Sequence, residues 1–272
     1  ASYSLTRQYL QNIYNSTTPL PTSRWKTSDA YIAPQVGQTY SLGFYQNLKD
    51  NKIALSIEGY YRTISNVLDY KPGADFFLQQ FIEKEVVQGK GKTYGLEFSL
   101  EQTKGKVQGW FNYTWAKSQR KFYAEDPGNR VNNNNWFDSD FDRPHVFNST
   151  INFKLNKYNT YSFNFTYQTG KPYSIPNAIF KVNNISVPIY FDRNNSRLPA
   201  YHRLDFTWRV HNINTKEERR FKGDWIFTVY NLYARKNAFN RYFSGNVGAT
   251  KTNQIAIFNS ALVSLTYSFS FK

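Results

Sequence analysis

Apolar and polar positions alternate along ten stretches of this chain, most clearly in the closing stretch from Ala261 to Lys272. Apolar or aromatic side chains occupy every second position between Val263 and Phe271, and serine or threonine fills the positions between them. Successive side chains of a β-strand point to opposite faces of the sheet. The closing stretch is therefore predicted to be a strand with one apolar, aromatic face and one small, hydroxylated face.

The same two-residue period predicts nine further strands, of which the first is the weakest, and helical periodicity appears nowhere at useful length. The ten predicted strands cover residues 2–10, 39–48, 53–69, 92–101, 107–117, 145–155, 160–168, 201–210, 224–233 and 261–272. Most of them reach the length of about 9–11 residues that a strongly tilted strand needs to cross a bilayer. We therefore predict an all-β, antiparallel fold.

Long and short connections alternate strictly between these strands, apart from one of medium length near the end. The short connections KDNK, QTKGK and NKYN alternate with long ones that carry STTPLPTSRW, KPGADFFLQQ and AEDPGNRVNNNNWFDSDFDRP. Outer-membrane β-barrels have long extracellular loops and short periplasmic turns, whereas a soluble β-sandwich has no reason to sort its loops in this way. The pattern predicts a transmembrane antiparallel barrel whose hydroxylated face lines the lumen.

The composition agrees with strands that have two different faces. Aromatic residues make up 19% of the 272 residues, yet the mean hydropathy is −0.65. The chain has no run of about 18 apolar residues, as a transmembrane helix would need, and no Cys for disulfides or thiolate metal sites. Rings near strand ends are expected to form the interfacial girdles of a barrel. These are Tyr60, Tyr61, Trp110, Trp115, Trp225 and Tyr267.

The net charge of +15, from 34 Lys and Arg against 19 Asp and Glu, raises the alternative of a nucleic-acid binder. The basic residues are spread through turns and loops and do not gather in one stripe. We therefore expect solvated turns with some attraction to anionic lipid or ligand, and no nucleic-acid partner. A soluble nucleic-acid binder would instead stay monomeric without detergent and show a steep salt dependence of binding.

Several segments resemble one protein family, in order and spacing, from the first residue to the last. They include YSLTRQYLQNIYN, YYRTISNVLDYKPGAD, GKTYGLEFSLE, NNNNWFDSDFDRPHVFN, TGKPYSIPN, RLPAYHRLDF and VYNLYARKNAF. The chain resembles the C-terminal half of the β-barrel of TonB-dependent outer-membrane transporters, of the type common in Bacteroidota. The resemblance implies a barrel of about 22 strands that is filled by an N-terminal plug.

On this interpretation residues 1–272 supply about the last ten strands, and the plug and the N-terminal strands lie outside the chain. An open ten-stranded sheet would leave two bare edges, which a membrane does not tolerate. We therefore expect the chain to pair with the missing strands. The other expected partners are TonB–ExbB–ExbD acting through the plug, outer-membrane lipid and lipopolysaccharide, and a surface lipoprotein or other subunits of an outer-membrane complex.

The resemblance implies TonB-energised uptake of a scarce or bulky nutrient, such as a siderophore, vitamin, glycan or peptide, across the bacterial outer membrane. The alternative is a transporter-like barrel that serves as a structural subunit or client of an outer-membrane protein complex. Alternation places one set of polar residues on the lumen face, where contact with the plug is the expected role. This set is Glu58, Glu97, Asn112, Asn152, Arg203, Asp205 and Arg209.

The stretch NNNNWFDSDFDRP is the best candidate for a loop that touches ligand. The candidate residues are Trp136, Asp138, Asp140, Asp142 and Arg143. Alternating carboxylates can bind Ca²⁺, but this run lacks the glycine and closing glutamate of an EF-hand loop. His145 and His202 lie at junctions on one rim and could belong to a hydrolytic site, although rim hydrogen bonding is the simpler role. We expect no enzyme and assign no catalytic residue, metal site or cofactor.

Overall fold

The computed structural model describes residues 1–13, 24–74, 81–183, 185–211, 221–246 and 249–271. Its strands are β1 (Ser2–Gln8), β2 (Leu10–Ile13), β3 (Arg24–Thr27), β4 (Gln35–Leu48), β5 (Ile53–Tyr70), β6 (Val86–Gln102), β7 (Val107–Phe122), β8 (Phe137–Asp138), β9 (His145–Lys154), β10 (Asn159–Gln168), β11 (Pro172–Tyr173), β12 (Ala178–Val182), β13 (Ile185–Ile189), β14 (Ser196–Arg197), β15 (Tyr201–His211), β16 (Phe221–Tyr230), β17 (Ala238–Asn246), β18 (Ala249–Ala256) and β19 (Leu262–Phe271). Short 3₁₀ turns cover Ile82–Glu85, Pro127–Asn129 and Asn132–Asn134. In this part of the chain no helix is long and apolar enough to span a bilayer.

Ten strands form one antiparallel sheet in their order along the chain, β1-β4-β5-β6-β7-β9-β10-β15-β16-β19, and β8 pairs with β7 beside this path. All ten correspond to the strands predicted from the alternation, so the all-β antiparallel meander is confirmed. The largest differences lie where β6 and β7 reach the long connections. β6 begins six residues earlier than predicted, at Val86, and β7 ends five residues later than predicted, at Phe122. There the segment VVQGKGK carries no alternation of apolar residues that would have indicated a strand.

The connections are sorted between the two ends of the sheet, as predicted. Residues 49–52, 103–106 and 155–158 turn tightly at one end, which we call the turn rim. The opposite end is the loop rim, and its connections are residues 9–34, 71–85, 123–144, 169–200 and 231–261. The medium-length connection 212–220 lies outside the described residues.

The strand register aligns the alternation into one continuous apolar face. Leu96 on β6 lies opposite Trp115 on β7, and Phe227 on β16 lies opposite Leu265 on β19. Leu42, Leu96 and Leu265 have exposed fractions of 69%, 55% and 67%. An apolar face this large and exposed is typical of a surface that meets lipid or another apolar partner.

The predicted aromatic girdle is partly wrong. Four of the six rings, those of Tyr61, Trp115, Trp225 and Tyr267, lie on the apolar face. Tyr60 lies opposite Gly95, and Trp110 lies opposite Glu101 and Thr150, which puts both rings on the polar face. The reason is that the two-residue alternation decides the face, whatever the distance from the strand end.

The polar face is held together by hydrogen bonds between side chains on neighbouring strands. Thr150 Oγ1 donates to Asn164 Oδ1 at 2.8 Å, and Ser99 Oγ donates to Asn112 Oδ1 at 2.7 Å. The buried apolar core lies elsewhere, beneath the loop rim, in two clusters. One cluster contains Ile13, Ile32, Ile82 and Val86, and the other contains Val67, Val87, Phe122, Val131 and Phe137. Parts of the long connections are therefore folded structure packed on the ends of the strands.

Candidate functional site

Asp142, predicted to touch ligand, is a buried anchor for the loop rim. Its carboxylate has no exposed surface and accepts a hydrogen bond of 2.6 Å from the backbone amide of Ser118. The Arg197 guanidinium also donates to it, and Lys117 Nζ lies 3.4 Å away. Asp142 thus joins the connection 123–144 to β7 and to β14 through a carboxylate that is itself buried.

Asp138 extends the same ion-pair network. It lies 2.6 Å from Lys117 Nζ and 2.5 Å from Arg197 Nη2. Burial acts to raise the pKa of Asp138, but the hydrogen bonds from Lys117 and Arg197 outweigh burial and hold the pKa below its ordinary value. Asp140 accepts a hydrogen bond of 2.8 Å from Asn194. Among the described residues no three His, Asp or Glu side chains converge as metal ligands, and these carboxylates bind protein donors instead.

Arg193 makes a second link across the loop rim. Its guanidinium donates to the Asp69 carboxylate at the end of β5 and lies 3.6 Å from the centroid of the Tyr70 ring. The Asn132 side chain donates to the Arg193 carbonyl at 2.9 Å. The connections 123–144 and 169–200 are therefore held both to each other and to the sheet.

Trp136 and Arg143 lie on different sides of the rim. Lys92 Nζ is 4.4 Å from the centroid of the Trp136 ring, and Lys92 follows the same alternation as Tyr94 on the apolar face. Trp136 is therefore on the outer side of β6 and β7. Arg143, by contrast, lines a pocket on the polar face.

This pocket is a cavity of about 540 Å³ at the loop-rim end of the polar face. Its floor includes Asn148, Thr166 and Arg203, which lie opposite one another on β9, β10 and β15. Its lining has three cationic side chains and several aromatic rings. They are Arg143, Lys171, Arg203, Tyr201, Tyr230, Phe239 and Phe258. A smaller cavity of about 320 Å³ between β4, β5 and β6 contains Glu101 as its charged lining residue.

The three cations of the large pocket differ in how far they are neutralised. Arg203 Nη2 lies 2.9 Å from the Asp205 carboxylate, and its guanidinium carbon lies 4.0 Å from the centroid of the Tyr230 ring. Neither Arg143 nor Lys171 has an ion-pair partner among the described residues. Burial, and then the positive charge of Arg143, lower the pKa of Lys171 and outweigh the opposing effect of the Asp140 carboxylate. This side of the pocket therefore carries excess positive charge and suits an anion.

Gly170 allows the connection 169–200 to fold back on itself next to Lys171. A Cβ atom at Gly170 would lie 1.6 Å from the Leu198 carbonyl oxygen. The Leu198 amide donates to the Lys171 carbonyl at 3.0 Å, and Arg197 Nη1 donates to the Gly170 carbonyl at 3.2 Å. Only glycine allows the backbone at residue 170 to come this close to the Leu198 carbonyl. This close contact places Lys171 at the wall of the pocket.

The segments RLPAYHRLDF and VYNLYARKNAF both contribute residues to the lining of the pocket and contact each other there. The Asn231 amide donates to Asp205 Oδ1 at 2.8 Å, and Asn237 Nδ2 donates to the His202 carbonyl at 2.9 Å. Arg235 Nη2 donates to the Ala200 carbonyl at 3.0 Å. Asp205 is thus on the predicted polar face. It is buried, and its carboxylate accepts hydrogen bonds from Arg203 and from the Asn231 amide.

The other residues predicted to line the lumen share the polar face. Glu58 on β5 lies directly opposite Glu97 on β6, and Asn112 lies opposite Asn148. Asn152 lies opposite Ser162, and Arg209 lies opposite Thr160. The Tyr45 hydroxyl donates to Glu58 at 2.6 Å, but neither glutamate has a cationic partner among the described residues.

His145 and His202 are not neighbours, because β10 lies between β9 and β15. His145 Nδ1 is 2.8 Å from the Tyr113 hydroxyl, and His202 Nδ1 is 2.6 Å from the Tyr233 hydroxyl. His145 lies opposite Trp115 on the apolar face, and His202 lies opposite Tyr167 on the same face. The two histidines therefore do not share a site.

The antiparallel meander, its two faces and its sorted rims define the wall of an outer-membrane type of β-barrel. Residues 1–233 match the family described as TonB dependent receptor-like, beta-barrel, and the chain belongs to this family. Its members are transport receptors and not enzymes. No curated relative matches the chain.

Solved structures of similar fold include three receptors of this kind. The pyoverdine outer membrane receptor FpvA from Pseudomonas aeruginosa PAO1 has a TM-score of 0.57 at 15% identity, covering 99% of this chain and 34% of the receptor. The ferric yersiniabactin uptake receptor FyuA from Yersinia pestis has 0.56 at 14%, covering 99% and 34%. The ferric-catecholate import receptor Fiu from K12 E. coli has 0.55 at 15%, covering 87% and 28%. The chain spans about a third of the length of these receptors.

Proposed function

We propose that this chain forms part of the wall of a TonB-dependent outer-membrane receptor that takes up an anionic nutrient too bulky or too scarce for passive entry. Arg143 and Lys171 in the 540 Å³ pocket, which have no ion-pair partner among the described residues, carry this proposal. A pocket with a few placed charges and aromatic walls is typical of a ligand site. Among siderophores, vitamins, glycans and peptides, a negatively charged ferric siderophore fits best, and the three solved neighbours are named as receptors for pyoverdine, yersiniabactin and ferric catecholates.

On this proposal the loop rim faces the outside of the cell and the turn rim faces the periplasm. The anion binds at the loop-rim end of the polar face, which lines the lumen. TonB–ExbB–ExbD then pulls on a plug and opens a path along that face. The plug and the remaining strands of a barrel of about 22 belong to the receptor outside residues 1–272, and this chain supplies ten of its strands.

The opposed carboxylates of Glu58 and Glu97 favour contact with a cationic group of the plug. Like charges directly opposite each other on neighbouring strands destabilise a sheet. A lysine or arginine inserted between the two carboxylates removes this repulsion. We therefore propose this pair as the strongest plug contact of the polar face, with Asn112, Asn152 and Arg209 on the same wall.

The test is binding and uptake by the whole receptor with two probes of similar size. One probe is a negatively charged ferric tris-catecholate and the other is a neutral ferric tris-hydroxamate, and tryptophan fluorescence reports binding. We expect tighter binding of the anion, and the double variant Arg143→Gln/Lys171→Gln should weaken it by about tenfold or more. Lys157→Gln at the turn rim is the control.

Equal affinity for the two probes, or equal loss in the control, would contradict the anionic substrate. Uptake should also stop when the proton gradient is removed by an uncoupler. Anion binding without energised uptake would favour the alternative role as a structural subunit of an outer-membrane complex.

A further inference from the structure

Three lysines project from the apolar face just beyond its aromatic band. Lys90 on β6 lies directly opposite Lys121 on β7, and Lys92 is the next residue of β6 on the same face. The pairing of β6 with β7 is regular over its whole length, from Gly89 opposite Phe122 to Gln102 opposite Gly109. The alternation that points Leu96 outward therefore points these lysines outward as well.

Their positive charges are not balanced within the described structure. Directly opposed residues have Cβ atoms about 4.5–5.5 Å apart, and like charges in such a pair destabilise the sheet. Lys90, Lys92 and Lys121 have no carboxylate partner among the described residues, whereas Lys117 on the same face lies 2.6 Å from Asp138. An anion placed between the opposed lysines would turn this repulsion into attraction.

The lysines lie at the height of lipid headgroups if the apolar face meets lipid. The rings of Tyr94 and Trp115, with centroids 6.1 Å apart, mark the boundary of the apolar band. Two residues of a strand rise about 6.6 Å, which at a barrel tilt of about 40° is roughly 5 Å along the membrane normal. Lys92 is thus one such step, and Lys90 two steps, beyond Tyr94, on the loop-rim side.

Trp136 completes the arrangement. Its ring covers Lys92 Nζ at 4.4 Å, and 38% of its surface is exposed. A cation held against an aromatic face keeps hydrogen-bond donors free for a second partner. Tryptophan beside basic residues is also the composition expected at a membrane interface.

We propose that Lys90, Lys92 and Lys121 bind the phosphorylated headgroup of a glycolipid of the outer leaflet, while its acyl chains run along Tyr94 and Leu96. This inference rests on the proposed function in one respect, namely that the apolar face meets the membrane. The ammonium groups donate charge-assisted hydrogen bonds to the phosphate oxygens. The continuity of the lysines with the apolar face selects a lipid over free phosphate.

The whole receptor is reconstituted in nanodiscs of phosphatidylcholine with lipid A as a minor component, extracted in mild detergent, and its retained lipid A is measured by mass spectrometry. The wild type should retain lipid A, and the triple variant Lys90→Gln/Lys92→Gln/Lys121→Gln should retain at least about tenfold less. The control Lys52→Gln/Lys104→Gln/Lys106→Gln removes three exposed turn-rim lysines and should retain it fully. Replacement of the first three lysines by arginine should restore retention and shows that the site still folds.

Equal retention by the wild type and the glutamine variant would overturn the proposal, as would full displacement of lipid A by inorganic phosphate, which would make the ligand a free anion. Lipid A without its phosphates should not be retained. A receptor that fails to enter nanodiscs of either composition would instead contradict the membrane-facing role of the apolar face. The failure of the lysine site and the failure of the proposed function are therefore distinguishable.

Discussion

The backbone amide of Ser118 on β7 donates a hydrogen bond of 2.6 Å to the Asp142 carboxylate, which has no exposed surface. Arg197, far away in the sequence, donates to the same carboxylate. One buried side chain therefore fixes a strand and two long connections, and it does so beside the pocket that contains Arg143 and Lys171. The loop rim is therefore held by buried polar contacts as well as by its two apolar clusters.

Asp142→Asn should destabilise the loop rim. The substitution removes the buried charge that accepts hydrogen bonds from Ser118 and Arg197, while Asp138 remains as a counter-charge for Arg197 and Lys117. Loss of hydrogen bonds to a buried charged group costs on the order of 2 kcal/mol. Thermal unfolding of the receptor in detergent measures the effect. Glu125→Gln, an exposed carboxylate in the same connection, is the control and should leave unfolding unchanged. Equal unfolding temperatures for the two variants would show that the Asp142 network does not hold the rim.

The affinity for an anionic probe should fall at alkaline pH earlier than an ordinary lysine would require. Burial and Arg143 lower the pKa of Lys171 in the folded pocket. The charge that attracts the anion is therefore present at low pH and is lost as the pH rises through this lowered pKa. Lys171→Arg keeps its charge and should hold its affinity to higher pH. Identical pH profiles for the wild type and Lys171→Arg would exclude Lys171 from the binding site.

Gly170→Ala should weaken binding of the ferric tris-catecholate while the protein still inserts in the membrane. The added Cβ would lie 1.6 Å from the Leu198 carbonyl oxygen, so the connection must shift and carry Lys171 with it. Gly128→Ala is a matched control, because its Cβ would meet no atom closer than 3.7 Å. Fluorescence titration of both variants compares them. Unchanged affinity in Gly170→Ala would mean that this backbone approach does not shape the site.

Leu265→Lys should reduce insertion of the folded receptor, and Thr266→Lys should not. Leu265 lies on the apolar face of β19, whereas Thr266 is its neighbour on the polar face. A lysine on the lipid side of a barrel costs up to about 2–4 kcal/mol at the bilayer midplane. The fraction of folded receptor in isolated membranes reports the cost. Equal insertion of the two variants would contradict the claim that the Leu265 face contacts lipid and the Thr266 face does not.

The alternation predicted the ten strands and the two faces because each depends on residues that are close in sequence. It did not predict the site. Arg197 and Asp142 are 55 positions apart, and nothing local indicates that they meet. The TGK segment belongs to the family resemblance, but the role of Gly170 depends on Leu198, which is 28 positions away. Trp136 and Arg143 share a loop, and the sequence therefore predicts a common site, whereas the pairing of β8 with β7 places Trp136 on the outer side.

The opposite faces of β6 provide the most direct test of the central claim that the apolar face meets lipid and the polar face meets the lumen. The chain has no Cys, so a spin label can be placed singly at residues 96, 97, 98 and 99 in a receptor without other cysteines. Collisions with oxygen, which concentrates in the bilayer, are then measured in liposomes. The account predicts high oxygen accessibility at 96 and 98 and low accessibility at 97 and 99. Uniform accessibility, or the opposite alternation, would contradict it.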